Sequence, residues 1–268
     1  MSLDAFRMPV GGETFYREGV DYFGRQRARD GLASMRPQLV KLEQSMAEDD
    51  APVLRTVIRY RGERKLDFPR YGHALHTEIL DLGPVDSDAP GYEVKNEWRF
   101  YGDGVVRLKS SFRQFGRPTR VSRIGWRFVF NVARTEVRYF ARGPVDNYPD
   151  RASGSFRGRY VGWSDTFGGD YTVSQDTGCR EQAEEVSLVS PGVTVTTLGR
   201  PFSFQVTPYA PLELLREPHP EFLLPPVKTE LGIYAAVRGL GSANCGPGPL
   251  DQHEIDPGQV QTLDILIR

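Results

Sequence analysis

An all-β fold of largely antiparallel sheets, a sandwich or a barrel, is what this 268-residue sequence predicts. Three observations predict it. Runs of alternating apolar and polar side chains recur from Ala51 to the end, as in half-buried strands. Twenty-eight Gly and 20 Pro punctuate them, more than a helical protein tolerates. The strand-like runs follow one another without long helices between them, which favours antiparallel pairing.

Along the chain, Arg25 to Glu48 is the only long stretch with helical tendency. Gly31 and Pro37 interrupt it, so at most a short helix is expected there. "VLRTVIRYRGE" from Val53 alternates as a strand does. "EWRFYGDGVVRLKSSF" from Glu97 reads as two strands around Gly102-Asp103-Gly104, a hairpin signal. "RIGWRFVFN", "TEVRYFAR", "GVTVTTL", "FSFQVTPY", "TELGIYAAVRG" and "QTLDILIR" are further strands. "PLELLRE" from Pro211 is a short helix with Pro in its first turn. Asp81 to Asn96 reads as a loop. No repeat period and no Pro/Ser linker divides the chain, so a single domain over residues 1–268 is expected.

Composition excludes some functions. The 34 Lys and Arg are matched by 35 Asp and Glu, which argues against a protein that works by neutralising nucleic-acid phosphates. Hydrophobic content of 39% suits either a domain that leans on a neighbour or a long-looped soluble protein. Cys179 and Cys245 match no zinc or redox spacing and read as free thiols. No apolar run approaches the roughly 18 residues of a membrane span. The start shows no secretory signal, so a cytoplasmic, non-membrane protein is expected, and residues 1–3 read as a cloning leader.

The densest constellation is "GPVDNYPDR", Gly143 to Arg151. Asn147 and Asp150 can cap turns, and Tyr148 is held extended by Pro149. Arg151 can pair bidentately with Asp146 or Asp150. A hydrogen-bonded structural knot is the favoured reading over ligand contact. The two aspartates could form a glycosidase pair, about 5 Å apart in a retaining enzyme. A neighbouring arginine would keep both ionised, however, and a general acid needs a raised pKa. "GLGSANCGPGPL", Gly239 to Leu250, lets backbone approach a ligand or another domain, with Cys245 as a small side chain lining a cleft. His73 and His76 lack an obvious third metal ligand. His219 and Glu221 would share a strand face and could hydrogen-bond.

These residues resemble a known family. "YFARGPVDNYPDR" is similar to the G-P-x-E-N-Y-P-D-R signature of the C-terminal domain, the small chain or domain 5, of large bacterial β-galactosidases of glycoside hydrolase family 2. "DAFRMPVGGE", "DGLASMRP", "RIGWRF", "YTVSQDTGCR", "FSFQVTPYAPLELLREPHPEFL" and "RGLGSANCGP" resemble further blocks of that family, in its order. The resemblance implies a galactose mutarotase-like β-supersandwich of two large, mostly antiparallel sheets. It implies retaining hydrolysis of terminal β-D-galactosides such as lactose by a homo-oligomeric parent, whose catalytic glutamates and Mg and Na ligands lie in a TIM barrel outside these residues. No catalytic residue, cofactor or metal is then expected within the chain, and the chain alone should be inactive. The sandwich would pack on that barrel through the Asp146, Asn147, Tyr148, Asp150, Arg151 motif and lend one loop to the sugar site. Cys245, flanked by Asn244 and Gly246, matches the position where the best-known member has Trp. A Cys in place of that Trp removes a stacking platform for a sugar or aglycone, which leaves aglycone preference open. The sequence also departs from the pattern at Asp146, which replaces Glu, at Ser174 to Gly178 and at Val10 to Glu13, and the shortened acids suggest altered loop packing rather than lost chemistry. A free-standing carbohydrate-binding module or mutarotase-like epimerase is the alternative, with His219 and Glu221, or His76 and Glu78, as its acid–base pair.

Overall fold

The structure, a computed structural model, describes residues 1–7, 23–68, 78–242 and 247–268. The described strands in chain order are β1 (Ser2–Asp4), β2 (Met35–Met46), β3 (Pro52–Gly62), β4 (Arg64–Asp67), β5 (Leu80–Pro84), β6 (Gly91–Phe100), β7 (Val106–Phe115) and β8 (Arg123–Phe130). They continue with β9 (Glu136–Gly143), β10 (Phe156–Trp163), β11 (Cys179–Ala183), β12 (Glu185–Leu188), β13 (Val193–Thr197), β14 (Phe202–Thr207), β15 (Thr229–Val237) and β16 (Gln261–Ile267). Among the described residues two short α-helices, α1 (Phe23–Arg29) and α2 (Pro211–Arg216), accompany them.

Two large sheets result, as expected. One has five strands in the order β1-β8-β15-β14-β11, the other nine in the order β10-β9-β12-β13-β16-β7-β6-β3-β2, and β4 pairs with β5 as a separate ribbon. The described pairings in these sheets are antiparallel. Alternate residues of each covered strand point between the sheets. Ile124 and Trp126 of β8, Leu231 and Ile233 of β15 and Phe202 and Phe204 of β14 meet Val94, Leu108, Phe112, Val137, Tyr139 and Ile265 of the large sheet. Trp126 is fully buried against Tyr60 and Phe112. Its indole N–H donates to Ser110 Oγ at 2.9 Å, Ser110 donates to Asn96, and Asn96 donates to Thr56. This chain of bonds satisfies four buried polar groups and ties the sheets together at one register.

The sequence reading needs correcting in two places. The stretch from Arg25 to Glu48 does begin with a short helix, α1, but residues 35–46 form strand β2. Gly31, at φ +82°, ends the helical part, and a Cβ there would stand 3.0 Å from Gly62 Cα. β2 is the outermost strand of the large sheet and is exposed over nearly its whole length, so no covered face imposes an alternation. Residues 81–96 are only partly loop, since β5 occupies Leu80–Pro84 and β6 begins at Gly91. At the other end of the chain, Ser2 and Leu3 pair with Arg127 and Trp126 as part of β1.

Gly125 lies where β8 passes closest to β15. A Cβ added there would meet the Ile233 carbonyl oxygen at 2.2 Å, and backbone cannot yield as a side chain can. Gly125→Ala is therefore expected to destabilise the chain by about 3 kcal/mol or more, at the top of the range for overpacking. Urea unfolding checks this, and a loss below about 1 kcal/mol would contradict the close approach.

Candidate functional site

The five-stranded sheet turns its second face away from the core, and the register shows what that face carries. One row across the sheet runs Asp4, Gly125, Tyr234, Ser203, and the next runs Ser2, Arg127, Gly232, Gln205, Cys179. Two glycines in the middle of these rows leave room for long side chains to lie flat. Tyr234 folds back over Gly232, where an added Cβ would fall 2.0 Å from its hydroxyl oxygen, and Arg123 stacks on the Tyr234 ring. This face is polar and buried, so its charges must be paired.

They are. Arg127 donates two hydrogen bonds to Asp4, at 2.6 and 3.1 Å, and a third to Glu230. Tyr234 donates to Asp4 at 2.9 Å. Arg123 bridges Asp4, Asp176 and Gln205. Burial opposes the charge on Asp4, but Arg123 and Arg127 outweigh it and hold the carboxyl below its ordinary pKa. Asp176 accepts from Tyr148 at 2.6 Å, which brings the network to the "GPVDNYPDR" segment. Burial, with Asp176 next in size, pushes the Tyr148 phenol well above its usual range.

That segment is the structural knot expected from the sequence, with different partners. β9 ends at Gly143, as anticipated. Asn147 is fully buried. It donates to the carbonyls of Arg142 and Val145, and it accepts from the Glu181 N–H. Tyr148 packs with Cys179, Tyr234, Val237 and Leu240 in a small second apolar cluster. Arg151 pairs with neither Asp146 nor Asp150, contrary to expectation. It donates to the Gly241 carbonyl at 2.8 Å. The arginine that meets Asp146 is Arg180, at 2.7 Å, while Thr177 Oγ1 and the Gly178 N–H occupy the other carboxylate oxygen. Asp150 accepts the Leu240 and Gly241 N–H groups at 3.0 and 2.6 Å. A Cβ on Gly239 would lie 2.7 Å from the Asp150 carboxyl carbon. Both carboxylates thus act as acceptors that fix other segments, and Asp150 with Arg151 clamps the root of the Gly239 to Leu250 loop.

Asn244, Cys245 and Gly246 lie outside the described residues, as do His73, His76 and Val10 to Glu13. His219 and Glu221 do not share a strand. His219 precedes the 3-10 turn Pro220–Phe222 and Glu221 lies within it, and Nδ1 stands 3.7 Å from the carboxylate, beyond hydrogen-bond range and exposed to solvent. Among the described residues no cluster of His, Cys, Asp and Glu could hold a metal ion. No described helix is long and apolar enough to cross a membrane. Cys179 is a buried thiol, as read from the sequence, and burial raises its pKa well above the usual value.

Two features escaped the sequence reading. A cleft of about 510 Å³ adjoins the knot through Thr177 and is bordered by Asp165, Asp170, Tyr171 and Tyr209. "GGDY" there carries only a turn signal. Glu181 sits against Ser203 and Cys179, and burial pushes its carboxyl up to about 7, against the opposing pull of those hydrogen bonds and of Arg142. Its acidic character in sequence gave no hint of this.

Two outcomes are expected. Asp150→Ala removes two charge-assisted hydrogen bonds and should cost about 2–3 kcal/mol, with faster amide exchange at Leu240 and Gly241. Unchanged exchange there would break the clamp. For Glu181, the folded-state pKa lies above the unfolded value of 4.5. The native state then binds the extra proton between pH 4.5 and 7, so stability falls as pH rises through that window, by about 3 kcal/mol. Glu181→Gln should abolish this loss in urea unfolding at pH 5 and pH 8.

Comparison with known proteins places this architecture. A beta-galactosidase of Lactococcus lactis is 25% identical over 171 residues, 63% of this chain and 17% of that protein. One from Actinobacillus pleuropneumoniae is 28% identical over 161 residues, 59% of this chain and 15% of that protein. A beta-galactosidase small subunit of Latilactobacillus sakei is 28% identical over 195 residues, covering 66% of this chain and 60% of the subunit. The chain therefore spans about a sixth of the two longer relatives. A provisionally assigned aldose 1-epimerase from Escherichia coli K12, solved by crystallography, aligns with 98% of this chain and 81% of its own at 14% identity and a TM-score of 0.39, a likeness too loose to carry an argument. The model of the beta galactosidase small chain family matches residues 32–267, nearly nine-tenths of the sequence. The chain belongs to the beta galactosidase small chain family.

Proposed function

We propose that this chain is the supporting part of a glycosidase that hydrolyses terminal β-D-galactosides such as lactose with retention, and that the groups breaking the bond lie in another part of the enzyme. The family match over residues 32–267 carries the reading. The engagement of Asp146 by Arg180 and of Asp150 by backbone N–H groups agrees with it, because neither is left as a general acid. A retaining mechanism needs two carboxyl groups on either side of the scissile bond. In this reading they come from a TIM barrel against which the sandwich packs, together with the barrel's Mg and Na sites.

The contribution of the sandwich is then positional. The knot holds the root of the Gly239 to Leu250 loop, and the loop presents Cys245, with Asn244 and Gly246, to the galactoside. A thiol there offers less stacking surface than an aromatic ring would. The parent is a cytoplasmic homo-oligomer in this reading.

The test is hydrolysis of a chromogenic β-galactoside by this polypeptide alone and after mixing with the polypeptide that carries the barrel. No turnover alone and turnover on mixing is the expected outcome. Turnover by the chain alone would return the chemistry to carboxylates of the sandwich and overturn the reading.

A further inference from the structure

A second concavity, about 470 Å³ in volume, lies where α1, the β7–β8 connection and the end of β15 meet. Its walls carry four guanidinium groups, Arg27, Arg117, Arg120 and Arg238, against two carboxylates, Asp30 and Glu254. Both carboxylates are already engaged. Asp30 takes Arg27 on one oxygen at 2.9 Å and Arg117 on the other at 2.7 Å. Glu254 takes Arg238 bidentately at 2.6 and 2.8 Å, with Arg120 at 3.5 Å. Two more aspartates stand at the rim. Asp88 is 3.6 Å from Arg117 and Asp251 is 2.9 Å from Arg120, but they are 60% and 89% exposed, so water screens these pairs and they hold the arginines weakly.

Among the described residues the lining thus carries four guanidinium groups against two carboxylates, in a space of ligand size. Donors remain as well. The Nε of Arg27 is buried and has no acceptor. Arg27 and Arg238 both stand over the Phe23 ring, at 4.8 and 3.8 Å from its centroid, so one aromatic ring holds two guanidinium groups. Burial lowers the Arg27 pKa, with Arg238 and Arg117 adding to the effect and Asp30 opposing it. Crowded guanidiniums of this kind are the usual protein partners of phosphate and carboxylate oxygens, which accept paired N–H donors.

We propose that the pocket walled by Arg27, Arg117, Arg120 and Arg238 binds a small multivalent oxyanion of the phosphate class, free or as a phosphate monoester. Arg117 and Arg120, the more exposed pair, leave their rim aspartates and close on the ligand, while Arg27 and Arg238 form the fixed floor.

The experiment is calorimetric titration of inorganic phosphate into the full chain at constant ionic strength, with chloride as the balancing anion. Saturable one-site binding is expected for the wild type. Arg120→Gln, at a half-exposed position, should weaken it several-fold. Arg117→Gln with Arg120→Gln should weaken it at least tenfold while near-ultraviolet circular dichroism stays native. Arg55→Gln, an exposed arginine on β3 paired with Glu97, should leave it unchanged. Absence of saturable binding in the wild type, or equal binding in the double variant, would overturn the proposal.

Discussion

The pairing of buried charge on the outer face of the five-stranded sheet is the constraint on which the rest of the molecule depends. Asp4, Arg123, Asp176 and Glu230 have side chains no more than 4% exposed. An ion taken out of water costs several kcal/mol unless a counter-ion and hydrogen bonds replace its hydration. Here Asp4, Arg123 and Asp176 meet their complements only when segments far apart in sequence arrive together. Residue 4 must reach 123 and 127, and 176 must reach 123, 148 and 205. A sheet with an apolar outer face could accept many coverings. This one accepts the covering that completes its charges, so the polar face selects one arrangement of loops.

From that face the order spreads outward through single contacts. Asp176 holds Tyr148, and Tyr148 sits on the small cluster with Leu240. Two and three residues on, Asp150 and Arg151 hold the backbone of 240 and 241. On the other side, Asp146 holds Thr177 and Gly178, and Thr177 accepts the Gly169 N–H at the cleft. A nine-residue segment thus joins the polar sheet face to two surface loops. Its sequence is dense because each of its five polar side chains has a distant partner.

How much of this was legible follows from the same physics. Strands with one apolar and one polar face, such as β7, β8, β9 and β14, announce themselves by alternation, and the short helix at Pro211 by its proline. β2 and β10 do not, because much of both their faces meets water. The importance of "GPVDNYPDR" could be read from its composition, but its partners could not. Arg151 lies beside two aspartates in sequence, yet Asp146 takes Arg180, 34 residues away, and Arg151 takes Gly241, 90 residues away. Local proximity is a poor guide where strands fold the chain back over such distances. The arginine pocket was invisible for the same reason, being assembled from four separate stretches of sequence.

The place of β16 in the large sheet bears on how the molecule comes into being. It lies between β13 and β7, joining the group β10-β9-β12-β13 to the group β7-β6-β3-β2. Every other described strand of that sheet precedes it in the chain. A ribosome therefore delivers both half-sheets before the strand that unites them. Until residues 261–267 emerge, each half keeps an open edge and the shared core stays unsealed. Such edges invite wrong partners, so the nascent chain has a period of exposure that lasts at least until β16 is made, and shielding it during synthesis falls to the cell.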